Sequence, residues 1–449
     1  MTARTLPATL PTGTAGLRPA QMAWLAAAVF VVSSGYGALM PLLPGWLAPM
    51  MEGAGATEVA RHVGFLSGVY AAGVMVGALM WGVVSDRVGR GRILIIGLIG
   101  YVASLLLLLL PAIGSLWVVY ALRGSTGVFV AAVIPVVAAL VAEHTPEAQR
   151  ARRFAWLGAM SLLGFLFGPG LIMVAGWVGS WFGDAAVSAT LSARIVLLLS
   201  ALLGAVMRLG LAFTLPPSHA AAAADRQPPA TSDPGRPAAL LWLNGVLMFV
   251  LAGFELGIVL QGQQEGGLSS RQAALMFAEC SLVMLGVNAV LFFTSLLARI
   301  AARMLIAAGL LLAMAGLAVL TRHNSELWMY LGVSLASAGT GLVLPVIAYL
   351  AAGTSAHKLG ATMGGLAAAA GLGQTLGSAA GGWLFGIFAQ RSFGLLAVPL
   401  VAMLALLLAR PHWWAGVAAG LSRDTSRQPG TRPIPRGAAA PGRVRDPHA

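Results

Sequence analysis

One cysteine, Cys280, and one lysine, Lys358, occur in 449 residues. A single thiol excludes an intramolecular disulfide and any cysteine-rich metal centre. The seven histidines fall near loops or the ends of apolar runs without paired spacing, so the sequence predicts no metal site and no cofactor. A phosphate loop of the Gly-x-x-x-x-Gly-Lys type needs a lysine after its glycines. Lys358 has no such setting, and the chain carries no ATPase of its own. A Gly-x-Ser-x-Gly nucleophile elbow is missing as well, and the chain is not read as an enzyme. Charge is scarce. Only 9% of residues are charged, 58% are hydrophobic, and the mean hydropathy is +0.86. That leaves too little polar surface to wrap a soluble globule of this size, so the chain is an integral membrane protein. Acid is the scarcer sign, with 14 Asp and Glu against 27 Lys and Arg, a net +13. A nucleic-acid surface would gather this excess into one stripe beside stacking aromatics. Here it is dispersed among loops and a tail, and no nucleic-acid partner is expected.

Apolar runs are what the chain has in abundance. About 20 such residues cross hydrocarbon as a helix, and the sequence predicts twelve crossings, near 22–46, 62–84, 93–113, 116–141, 154–178, 194–215, 239–261, 272–296, 304–321, 327–351, 360–388 and 393–410. The predicted organisation is an N-terminal tail, 1–21, a six-helix bundle, 22–215, a linker rich in Ala, Pro and Arg, 216–238, a second six-helix bundle, 239–413, and a basic tail, 414–449, too poor in apolar residues to order itself. Arg4 and Arg18 precede a first run too long for a signal peptide, which is therefore kept as the first helix. With both tails set aside, twelve basic loop residues lie on one side and five on the other. Cytoplasmic loops are the basic ones, so both termini are expected in the cytoplasm. The two halves repeat weakly. Pro135 lies 33 residues before Gly168, and Pro345 lies 32 before Gly377, as expected of parallel bundles related by an axis along the membrane normal.

Between the second and third runs stand Gly82, Asp86, Arg87, Gly89, Arg90 and Arg92. An acid and three arginines punctuated by glycine cannot sit in hydrocarbon, so they form a short water-exposed loop. The pattern resembles the loop between helices 2 and 3 of the Major Facilitator Superfamily, roughly Gly-x-Leu-Ala-Asp-Arg-x-Gly-Arg-Arg, with Val84 and Ser85 replacing Leu and Ala and Gly91 one basic position. The resemblance implies an all-α membrane protein of twelve helices in two pseudo-symmetric six-helix bundles. It further implies a conformational latch at Gly82, Asp86, Arg87, Gly89 and Arg90, in which Asp86 meets the N-terminus of helix 11, near Gly360, when the transporter faces outward. That terminus carries about half a positive charge.

Arg123 is the basic residue well inside a run, and an arginine at mid-membrane costs about 2.5–3.5 kcal/mol on insertion scales. Leu122, Arg123, Gly124 and Gly127 resemble the family's helix 4 motif, which implies a cavity-facing arginine tied to proton handling; snorkelling to the surface is the bland alternative. Gly164, Gly168 and Pro169 resemble the core of the helix 5 motif of drug and proton antiporters, although Ile172 and Met173 stand where its last two glycines belong. Residues four apart share a helix face, so these glycines, and Gly373, Gly377 and Gly381 in the second half, let neighbouring helices approach. Glu255 and Glu279 are acids in apolar surroundings. Removing a carboxyl from water disfavours its anion, which suits such a group to proton exchange. In the family helices 1, 4, 7 and 10 line the cavity, which favours Glu255 over Glu279. Helix 1 lacks the acid that many of the family's antiporters carry there. Tyr36, Asn244, Gln261, Asn288 and Gln374, together with Gln263 and Gln264, are candidates for substrate contact or helix pairing.

The expected function is secondary active transport across a bacterial-type inner membrane, by a monomer that meets its small-molecule substrate, protons and lipid. Proton-coupled efflux of small organic compounds by alternating access is the first reading. Proton-linked uptake of a sugar, organic acid or other metabolite is the alternative, and a transporter-like sensor signalling through the basic tail a third.

Overall fold

The computed structural model describes residues 17–51, 53–110, 115–145, 147–181, 189–215, 235–261, 268–294, 296–323, 325–352 and 356–410. The tail from 414, residues 1–16 and the linker as far as residue 234 lie outside the described residues. Within hydrocarbon every backbone N–H and C=O must be paired inside its own segment, and the apolar runs accordingly fold as helices. Span 1 is Pro19–Met50, finishing in tight turns that begin at Met40, just before Pro41. Spans 2 to 4 are Ala56–Val88, Arg90–Leu107 and Leu116–Glu143. Spans 5 to 8 are Glu147–Ser180, Ala189–Thr214, Gly235–Gln261 and Ser270–Phe293. Spans 9 and 10 are Ala302–Arg322 and Glu326–Ala352.

Among the described residues eleven continuous helical stretches are long and apolar enough to cross a bilayer, and the last, Gly365–Ala409, is 45 residues long. That is enough for two crossings. It breaks at a 3-10 turn, Ala389–Arg391, into span 11, Ala356–Phe388, and span 12, Ser392–Ala409. Span 4 is interrupted after Ala131 and resumes at Ile134, because the ring of Pro135 clashes with the carbonyl four residues back, that of Ala131.

The turn between spans 2 and 3 is far tighter than a loop over 82–92. Helix runs on through Val88, and Gly89 alone, at a φ of 101°, reverses the chain before Arg90 opens the next helix. A side chain at that φ would be strained, so glycine is needed there.

Span 1 packs on span 5, span 2 on span 4, and span 3 on span 6; in the second half span 7 packs on 11, span 8 on 10, and span 9 on 12. The two sets of six therefore share one pairing scheme. They meet along two seams that the same symmetry relates, span 2 against span 11 and span 5 against span 8. In the first seam Thr57 Oγ1 donates to the carbonyl of Gly386 at 2.9 Å. Gly64 lies against Gly382, Gly68 against Thr375 and Ala379, and Met75 against Gly371. These positions form one helical stripe, and its continuation towards Val88 is bare: Leu79 is 62% exposed, a side chain at Gly82 would meet no other described residue, and Asp86 is exposed. The halves are thus closed together at the Thr57 end and parted at the Asp86 end.

Candidate functional site

Arg123 is the eighth residue of span 4, 2% exposed and turned into the first bundle. Its guanidinium carbon lies 4.3 Å from the ring centre of Tyr70 and 5.9 Å from that of Tyr36, a cation–π arrangement that offsets part of the cost of burying the charge. Span 1 supplies Tyr36, whose ring centre is also 5.1 Å from that of Tyr70 and 5.5 Å from that of Phe165 on span 5. Arg123 forms no ion pair among the described residues.

Glu255 lies in the last third of span 7, six residues before its end at Gln261. It is half-buried, has no hydrogen bond among the described residues, and lies close enough to Tyr36 of the other bundle and to Cys280 of span 8 to act on both electrostatically. This carboxyl stands where the halves face each other. Glu279 on span 8 is a separate acid: its Oε1 accepts a hydrogen bond from Ser334 Oγ on span 10, while Oε2 is buried without a hydrogen-bond partner among the described residues. Ser337, one turn further along span 10, is fully buried beside Cys280.

At the parted end Arg90 links two acids. Its Nη2 is 3.3 Å from Asp86 Oδ1 and its Nε 2.6 Å from Glu143 Oε1 at the end of span 4. Asp86 is therefore held within its own bundle, by a pair spaced i, i+4 across the Gly89 turn. The contact with span 11 near Gly360 that the resemblance implies falls on residues whose side chains lie outside the described residues. Asp86→Asn is expected to change thermal stability by no more than about 1 kcal/mol, as for exposed pairs generally, and yet to slow transport if the latch forms in the other state; melting curves and uptake or efflux rates on the same preparation separate the two effects.

The Major Facilitator Superfamily model matches residues 25–299, more than half the chain. The chain belongs to this superfamily. Membership places it among multi-pass membrane transporters and not among enzymes. Over 145 residues it is 37% identical to the class B tetracycline resistance protein of Escherichia coli, covering 32% of this chain and 34% of that one. Over 144 residues it is 30% identical to the quinolone resistance protein NorA of Staphylococcus aureus, covering 32% and 35%. The chain thus matches about a third of the length of these curated relatives. The human organic anion transporter MFSD10 (TETRAN) superposes with a TM-score of 0.66 at 18% identity, over 87% of this chain and all of that one, a likeness of fold alone.

In this superfamily member the glycine motif of span 5 meets span 1 backbone to backbone. A side chain at Gly164 would strike the carbonyl of Phe30, and one at Gly168 would strike Gly37. Pro169 has no N–H for the carbonyl of Phe165, and that carbonyl lies against Gly37. In the second half Gly373, Gly377 and Gly381 meet Gly245, Phe249 and Gly253 of span 7 in the same manner. Gly377→Ala forces an extra carbon into backbone and is expected to cost about 1–3 kcal/mol, read as a lower melting temperature of the purified protein.

The polar candidates separate. Asn244 is buried, and its Nδ2 donates to the carbonyl of Leu366 at 2.8 Å, pinning span 7 to span 11 instead of facing a cavity. Gln261 is buried at the end of span 7, with Oε1 unpartnered among the described residues. Asn288 and Gln374 are half-buried, and Gln263 and Gln264 lie outside the described residues. Sequence reasoning passed over Tyr70, Tyr101, Glu143, Ser334 and Ser337. The apolar runs hold all six of the chain's tyrosines, four of them, Tyr36, Tyr70, Tyr101 and Tyr120, in the first half, so position in a run did not single out the three that gather at Arg123.

Proposed function

We propose that this protein exports small, mostly apolar organic molecules in exchange for protons, by alternating access. The observation that carries the reading is Glu255, an acid on span 7 that is enclosed by protein, keeps some accessible surface and acts electrostatically on Tyr36 across the divide between the bundles. A carboxyl at that place can load a proton in one closure and release it in the other as substrate binds. The partial matches to tetracycline and quinolone resistance proteins support export and an organic class of cargo; the aliphatic lining of the spans is what favours mostly apolar molecules. Arg123 and Glu279 are assigned supporting parts, Arg123 behind Tyr36 and Glu279 beside Cys280. The glycine seams of spans 5 and 11 let the bundles move as rigid bodies.

Both termini are taken as cytoplasmic, from the basic side of the chain, in a bacterial-type inner membrane, with the protein working as a monomer and without nucleic acid. The closed Thr57 end then faces outward and the present arrangement is inward-facing. One proton moving down 100 mV supplies about 2.3 kcal/mol, which supports a modest concentration ratio. The deciding experiment measures accumulation of a panel of compounds in cells with and without the protein, repeated after collapse of the proton gradient. Lower accumulation that disappears with the gradient supports the proposal. Higher accumulation points to proton-linked uptake instead. The involvement of Asn244 in helix pairing counts against uptake, since it removes one hydrogen-bonding group from a cavity already poor in them.

A further inference from the structure

Behind Tyr36, inside the first bundle, lies a cavity of about 10 Å3 walled by Gly35, Tyr36, Tyr70, Tyr101, Arg123 and Ser200 together with aliphatic side chains. Its polar lining consists of donors. Arginine has N–H groups and no acceptor, and a hydroxyl can turn its hydrogen inward. Nε and Nη2 of Arg123 and Oγ of Ser200 are buried and have no hydrogen-bond partner among the described residues. Both residues are only 2% exposed. A buried cation without a carboxylate beside it is costly, and two tyrosine rings offset only part of that cost. By size the space suits one small body, a water molecule or a monoatomic ion. Gly35 forms one wall: a side chain there would lie 2.6 Å from the Tyr101 hydroxyl and 3.2 Å from Ser200 Oγ.

We infer that this cavity is a binding site for one small monoatomic anion, chloride under ordinary conditions, held by Arg123 and Ser200 and enclosed by the three tyrosines. The anion neutralises Arg123 within the first bundle and ties span 4, which carries Arg123, to span 6, which carries Ser200. This inference is independent of the direction and coupling of transport, and its test involves no transport.

The test is thermal unfolding of the purified full chain in detergent, at constant ionic strength, with chloride or bromide exchanged stepwise for gluconate. Both halides are expected to raise the melting temperature saturably, as a ligand of the folded state does, and gluconate is not. Gly35→Ala, which fills the cavity and keeps the charge, should abolish the halide effect. Ser200→Ala should raise the half-saturating halide concentration about tenfold, through loss of one hydrogen bond to a charged group, and it carries the test should Gly35→Ala fail to fold. Equal melting in halide and gluconate would mean that the cavity takes water only and would overturn the assignment. A halide effect of unchanged size and midpoint in the variants that fold would overturn it as well, by putting the ion elsewhere.

Discussion

Membrane vesicles carrying Glu255→Gln are expected to show no export driven by a pH gradient, while the protein remains inserted at its normal level. The substitution keeps the size of the side chain and removes its titration, so the transporter is fixed in the state of a neutral carboxyl. Glu255 has no hydrogen bond or ion pair among the described residues whose loss would destabilise the fold, and glutamine in its place leaves no charge unpaired. Transport and stability are therefore expected to separate, which a structural acid would not allow. Glu279→Gln is the internal comparison. Its carboxylate already accepts from Ser334, so the amide can keep that bond through its own oxygen and a partial loss is expected. The measurement is fluorescence of a transported dye in everted vesicles on energisation and after addition of a protonophore. Undiminished, gradient-dependent export by Glu255→Gln would remove this residue from the mechanism.

Closing the seam covalently should stop transport altogether. Thr57 and Gly386 are in contact at the closed end of the molecule, with the Thr57 hydroxyl on the Gly386 carbonyl, and an added side chain at Gly386 would lie 3.5 Å from the Thr57 Cα. This proximity suits the short Cα separation that a disulfide spans. Because Cys280 is the one native cysteine, a background of Cys280→Ala permits an unambiguous pair, Thr57→Cys with Gly386→Cys. Oxidation is expected to abolish transport in either direction, and reduction to restore it. An alternating-access protein must part spans 2 and 11 at this end once per cycle, and a disulfide forbids it. A quantitatively cross-linked protein that still transports at the original rate would show that this seam does not open.

The latch, the arginine and the glycines were legible to different depths. Asp86 and Arg90 announce a turn at a membrane face by charge alone, since charged groups are excluded from hydrocarbon. That the turn is only Gly89, and that Arg90 also reaches Glu143, depends on how span 4 ends beside span 3. Arg123 could be singled out by its rarity in an apolar run. Its companions could not, because Tyr70 and Tyr101 come from two other helices and converge through packing. Gly164 and Gly168, four apart, mark a helix face but not its partner, and only the bundle assigns span 1 to it. Asn244 had no feature to distinguish a cavity residue from a pin between helices; the carbonyl of Leu366, 122 residues away in sequence, makes the difference.

By itself the sequence determined a twelve-helix membrane protein with two related halves and a charged turn, because crossing hydrocarbon demands runs of about 20 apolar residues and drives charge to the faces. Those are local requirements, readable one segment at a time. Only the tertiary structure decided which end of the span 2 and span 11 seam is shut, which rings cover Arg123, and that Glu255 confronts Tyr36 across the two halves. Such relations depend on the rotation and register of helices about one another, set by close packing at small residues distant in the chain, and no single segment encodes them.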